Sequence, residues 1–274
     1  MLQEQPSISD LGIQPELARE CDRWLDQLKD DDRHTSYAVT AAEVLRAHFM
    51  LADYFREMGE GIGGIGPKSL HLLQSAISRQ YVGSGRHLKW PDLFGAAATL
   101  FFGLVKNHAF HDANKRTALL TALYQLQRSG RVVNVAQREF EDLAVRVAEN
   151  GLSRYPAFRD LRVTSDREVL FIARFFRRNT REIDRREFNV TYRQLGVIMG
   201  RHGFEFGTPH DNRIDVVQRV EERHGLFGVK RRIVERRVTT IGFRNWGTEM
   251  SQRDIREVRR ATGLTHEKGY ERPS

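Results

Sequence analysis

Cysteine is almost absent: Cys21 is the only one in 274 residues. A single thiol cannot close an internal disulfide, which excludes a cross-linked extracellular scaffold. Long apolar runs are missing too. The longest nearly apolar stretch, Leu93 to Val105, has about thirteen residues, whereas a bilayer span needs roughly 20. The opening MLQEQPSISDLG has neither the basic nor the apolar region of a secretory signal. We therefore expect a cytoplasmic protein without a membrane segment. With 40% apolar and 29% charged residues, the composition is that of a globular chain, not a disordered one.

Charge is present but unevenly placed. The formal net charge is +8. Residues 1–150 hold 17 Lys and Arg against 19 Asp and Glu, and the remainder holds 27 against 17. The basic character lies in the second part, which argues for two domains and for acidic partners such as phosphates or nucleic acid.

The first part reads as helices. After Pro15, Leu17, Cys21, Trp24, Leu25 and Leu28 recur at helical spacing before DDDR at 30–33. Thr40 and Glu43 stand at capping-box spacing ahead of a helix whose buried side holds Val44, Leu45, Phe49 and Leu51. GEGIGGIG, residues 59–66, is either a flexible connection or a place of close approach. It lacks the spacing of a Walker phosphate loop. A helix over 70–77 is followed by a short polar hairpin, in which Tyr81, Val82 and Leu88 to Trp90 flank Gly83-Ser84-Gly85. Residues 92–106 are rich in small side chains and read as the central buried helix. Further helices follow over 115–128, 137–150 and from 168. Beyond 190 a short helix, alternating strand patterns and a last helix after Ser251 predict an α+β domain.

Between two apolar helices stands His108-Ala109-Phe110-His111-Asp112-Ala113-Asn114-Lys115-Arg116. Taken singly, His108 reads as a cap or a packed side chain, Asp112 as an N-cap, and Lys115 with Arg116 as a solvated face. Taken together they describe a site for phosphate transfer. A helix N-terminus with two cations can hold an anion. Asp112 offers an oxygen ligand to Mg²⁺. Asn114 either donates to a phosphate oxygen or holds the loop. His108 can take a proton from a hydroxyl nucleophile.

Residues 104–119, LVKNHAFHDANKRTAL, resemble the signature of the Fic/Doc family, His-x-Phe-x-Asp/Glu-Gly/Ala-Asn-Gly/Lys-Arg, with every fixed position filled. Residues 37–77, with Gly63-Gly64-Ile65, resemble the upstream part of Doc-type members, and the resemblance extends over about 37–150. It implies His108 as the base, Phe110 as the loop anchor and Asp112 as the metal ligand. Asn114, Lys115 and Arg116 would bind phosphate. The hairpin (Tyr81, Val82, Gly83 and Gly85) would be a flap that aligns a target by main-chain pairing. Members that add AMP carry glycine at the positions of Ala113 and Lys115, and the replacements here are Doc-like. The resemblance thus implies a toxin that moves a phosphate from ATP, with Mg²⁺, to a hydroxyl of a target protein. A translation factor is the implied target, so translation would be inhibited. AMP transfer stays open as the alternative. Ala109 stands where proline is common. The family's inhibitory pattern fails at Val169, so restraint is expected from a separate antitoxin protein.

Residues 191–207, TYRQLGVIMGRHGFEFG, followed by strand patterns, faintly resemble the HicA-like arrangement, a small double-stranded-RNA-binding type. His210, in TPHDN, does not match that family's histidine motif, and no nuclease activity is carried over. Lys230, Arg231, Arg232, Arg236 and Arg237 could contact nucleic acid, or could form a solvated basic face. The expected fold is thus a mainly α-helical Fic/Doc bundle with a β-hairpin flap, followed by a small basic α+β domain. The expected divisions are an N-terminal helical extension over 1–35, a catalytic domain over 36–155, a connecting helix and linker over 156–189, and the basic domain over 190–274.

Overall fold

A computed structural model describes residues 12–28, 35, 37–84, 87–224, 230–268 and 270, with 221–224, 230–233 and 267 described by backbone alone. The DDDR stretch at 30–33 lies outside the described residues. Two compact units are formed, Met1–Glu182 and Ile183–Ser274.

In the first unit, α1 (Pro15–Leu25) and α2 (Ala41–Glu57) lead into α3 (Leu70–Ser78) and a hairpin of β1 (Gly83–Ser84) and β2 (His87–Leu88). Then come α4 (Leu93–Asn107), α5 (Asn114–Arg128), β3 (Arg131–Val133) and α6 (Gln137–Ala148). The unit closes with α7 (Pro156–Arg159), α8 (Arg167–Arg178) and β4 (Thr180–Glu182). α2 starts where the Thr40 hydroxyl accepts from Glu43 N–H and Glu43 reaches back to Thr40 N–H, both halves of a capping box. Losing such a cap costs about 1 kcal/mol.

α4 is the centre of this unit, with α3, α5, α6 and α8 against it. Asp92 caps its start by accepting from the N–H groups of Phe94 and Gly95. Its small residues permit the packing: a Cβ on Gly103 would lie 3.1 Å from Ala76 Cα, so α3 lies close.

The structure departs from the expected divisions at both ends of this unit. Leu17, Ala18 and Cys21 of α1 are buried in the same core as Val44, Leu45 and Phe49 of α2. The helix expected as a connector, α8, buries Phe171, Ile172 and Phe176 in that core. Phe176 stacks on Phe140 at 5.8 Å and meets Phe101 edge-on at 5.6 Å. The apolar stripe of α8, not its exposed arginines, decides where it lies. The unit then ends with β4 pairing antiparallel to β3, Val133 opposite Thr180.

In the second unit, α9 (Tyr192–Gly200) precedes β5 (Phe204–Phe206), β6 (Arg213–His224), β7 (Lys230–Gly242) and α10 (Gln252–Thr262). The strands form one antiparallel sheet in the order β5-β6-β7, with a register shift at Val216/Val217. Its own small core joins Tyr192, Leu195 and Met199 of α9 to Ile214, Val216, Ile241, Ile255 and Val258. Among the described residues no helix is long and apolar enough to cross a membrane.

Candidate active site

The segment between α4 and α5 is shaped by two left-handed residues. α4 ends at His108 (φ 49°, ψ 50°), whose side chain is exposed. The chain then turns inward. Ala109 and Phe110 are buried, and the Ala109 carbonyl accepts from Lys68 N–H (2.8 Å) and Ser69 N–H (3.2 Å). It turns out again at Asp112, and Ala113 (φ 58°) starts α5 without a side-chain cap. The first N–H groups of α5 therefore have no capping side chain and point where an anion can reach them.

Asn114 turns its amide back onto the loop. Its Oδ1 accepts from Phe110 N–H and its Nδ2 donates to the Phe110 carbonyl, both at 2.9 Å. The side chain holds the loop rather than reaching outward. Phe110 is 1% exposed, its ring stacked at 4.1 Å on His48 of α2. His48 carries no local sequence signal, and only the fold brings it here.

Asp112 is exposed, yet both carboxylate oxygens are held. Oδ2 accepts from Gly63 N–H at 2.7 Å, and Oδ1 accepts from Ala113 N–H. The Gly63 bond, then the Ala113 bond, hold its pKa below the usual carboxylate value, and the charges of Arg116 and Lys115 add to this. The glycine-rich loop is thus a place of close approach, not a loose connection. Gly66 has φ +85° and a Cβ there would lie 2.8 Å from the Trp24 ring, while a Cβ on Gly64 would lie 2.8 Å from His111 Cβ. Among the described residues no group of three or more His, Cys, Asp or Glu could enclose a metal ion. One ionised, exposed carboxylate does fit Mg²⁺ that takes its other ligands from phosphate oxygens and water.

Lys115 and Arg116 are both exposed in the first turn of α5. The Arg116 guanidinium lies 4.1 Å over the Phe55 ring, a stacking that orients its fork. Both cations border a mainly apolar groove of about 920 Å³ walled by α2, α5 and α6, with Tyr54, Leu119, Leu123 and Phe140 among its lining. The hairpin is present, with Gly83 opposite Leu88 and Ser84 opposite His87. Val82 is exposed, and its carbonyl accepts from Lys89 N–H at 2.8 Å. Tyr81 is half-buried against the core. The Lys89–Asp166 ion pair (2.7 Å) ties the hairpin base to the residue before α8. Gly85 lies outside the described residues.

The candidate nucleic-acid residues are all on β7, but their described surroundings are of mixed sign. Arg237 lies 4.0 Å from Asp215, and Arg219 sits between Glu205 (2.8 Å) and Glu235 (4.0 Å). Arg236 is exposed, and the side chains of Lys230, Arg231 and Arg232 lie outside the described residues.

Residues 38–126 match the Fic/DOC family, which bears out the resemblance read from the signature. Over 62 residues, 23% of this chain, the sequence is 44% identical to the protein kinase doc of Escherichia phage P1. That match spans 48% of the relative, about half its length. The glycine-rich loop, the hairpin and the segment from His108 to Arg116 all lie within residues 38–126.

Proposed function

From the likeness of residues 38–126 to the Fic/DOC family, we propose that the first unit is a toxin-type transferase that moves a phosphate from ATP to a hydroxyl of a target protein. The observation that carries this reading is the state of Asp112. Backbone N–H groups hold it ionised beside the two cations that open α5, and His108 stands exposed at the end of α4. Asp112 would hold Mg²⁺, which when bound supplies charge neutralisation to the phosphates.

The His108 imidazole takes the proton of the target hydroxyl. The hydroxyl oxygen forms its bond to the γ-phosphorus while the bond from that phosphorus to the bridging oxygen breaks, and ADP leaves with that electron pair. Lys115, Arg116 and the N–H groups at the start of α5 receive the phosphate charge. Asn114 keeps the loop in the shape that places these groups. The hairpin edge aligns the target as an added strand. The 44% identity to a protein named as a kinase supports γ-phosphate transfer over AMP transfer. The rest of the reading follows the family resemblance: action in the cytoplasm on a translation factor, and restraint by a separate antitoxin protein.

The test is label transfer in a lysate with Mg²⁺ and ATP labelled at either the α- or the γ-phosphate. His108→Asn is the control, because asparagine tolerates the left-handed backbone at that position. A protein band labelled from γ alone and lost in the variant supports the proposal. A band labelled from α replaces it with AMP transfer. No band from either label refutes both.

A further inference from the structure

Three segments meet around one buried imidazole that the proposed reaction does not touch. His48 lies mid-way along α2 and is wholly buried. Its Nε2 accepts from Gly66 N–H at 3.0 Å, so the proton of the neutral ring is on Nδ1. Nδ1 faces Thr117 Oγ1 at 3.0 Å, near the start of α5, and donates to it. The ring face is covered by Phe110. One side chain therefore fixes the glycine-rich loop, the inward turn of the motif loop and the start of α5, and a backbone bond sets its tautomer.

The path from this ring to Asp112 is short. Beyond Gly66 the loop is tied to the motif loop through Lys68, Ser69 and Ala109. Before Gly66 come Gly63 and Gly64, which need an outside anchor because glycine does not restrict its own backbone. Gly63 is the residue whose N–H holds Asp112 Oδ2. Resting on the functional reading above, we propose that His48 is a positioning residue. It holds the glycine-rich loop at the depth where Gly63 N–H meets Asp112, and so sets how that carboxylate presents its remaining lone pairs to a metal-bound phosphate. Losing a partner bonded directly to a metal ligand, as Gly63 N–H is to Asp112, typically changes metal affinity or activity by roughly 10–100-fold, and His48 acts on that bond through the loop.

The experiment uses the full chain and three variants. His48→Phe keeps a ring against Phe110 and removes both hydrogen bonds. His48→Gln restores a donor and an acceptor. Thr117→Val removes only the hydroxyl. Amide exchange at Gly63 and Gly66 is measured by NMR without ligand, and the Mg²⁺ concentration for half-maximal label transfer is measured alongside. In His48→Phe, Gly63 exchange should quicken by roughly tenfold or more while Leu100 and Phe101 of α4 keep their rates. The Mg²⁺ requirement should rise roughly 10–100-fold, and His48→Gln should recover most of both. Thr117→Val should give the same pattern more weakly, and it decides the matter if His48→Phe does not fold. Unchanged Gly63 exchange, or faster exchange with an unchanged Mg²⁺ requirement, overturns the proposal. A wild type that transfers no label refutes the functional reading alone. The positioning role is then judged by Mn²⁺ broadening of the Asp112 amide, which supports it if weakened in His48→Phe and overturns it if not.

Discussion

The two units use charge in opposite ways. In the first, a few charged groups stand where backbone and helix ends have fixed them: Asp112 between two N–H donors, and Lys115 and Arg116 at the opening of α5. In the second, 19 basic residues face 13 acidic ones, and the described strands set them side by side, Arg219 with Glu205 and Glu235, Arg237 with Asp215. The unit with less net charge has the more sharply placed charges. Chemistry follows placement, because an oriented group in a prepared site does more than a larger number of solvated and mutually paired ones.

That contrast can be broken by experiment. The largest effect is expected from His108→Asn, which should slow label transfer by roughly 10²–10⁴-fold, the usual worth of a general base. Arg236→Gln with Arg237→Gln should leave the rate nearly unchanged, and a reversal of these two results would overturn the contrast. Next comes Phe176→Ala. As part of the first core it should cost about 3–5 kcal/mol in urea unfolding of that unit and leave the unfolding of residues 183–274 in place. A cost under about 1 kcal/mol, as for a surface change, would return α8 to the role of connector.

The third effect is on pH. Burial lowers the His48 pKa from 6.5 to about 4. Between those values the unfolded chain holds a proton that the folded one does not. Stability should therefore fall as the pH drops through that window, by up to roughly 3 kcal/mol. Unfolding midpoints of wild type and His48→Gln at pH 7, 5.5 and 4 check this, and equal slopes would refute it. Asp112 acts in a lower window. Its folded pKa lies under the ordinary 3.8, so its contribution is present above that value and is lost as the pH falls through the folded pKa. The smallest change is expected from Arg237→Gln. Its ion pair is 4.0 Å long and its side chain 69% exposed, so the midpoint should move by no more than about 0.5 kcal/mol.

What could be read in advance was whatever had a local cause. The Thr40–Glu43 box, the small residues of α4 and the segment from His108 to Arg116 each declare themselves within one or two helical turns. β3 and β4 did not, because two three-residue strands far apart in sequence have no pattern until they meet. α8 was recognised as a helix but misplaced, because its arginines are as visible in the sequence as Phe171, Ile172 and Phe176. The helix holding His48 was predicted with Val44, Leu45, Phe49 and Leu51 as its buried side, of which Leu51 is only half-buried, but a lone histidine in it says nothing of Gly66 or Thr117. The glycine-rich loop left two readings open until its contacts with Trp24 and His111 decided for close approach.

Cys21 of α1 is wholly enclosed, and burial, helped by the neighbouring charge of Asp22, pushes its thiol up to about 12. The folded protein is therefore already blank towards maleimide dyes and spin labels at neutral pH. A cysteine introduced at Val82, 47% exposed at the hairpin, would be the one reactive handle on the molecule. A fluorophore there could report, without further mutation, whether the hairpin changes its surroundings when ATP or a target arrives.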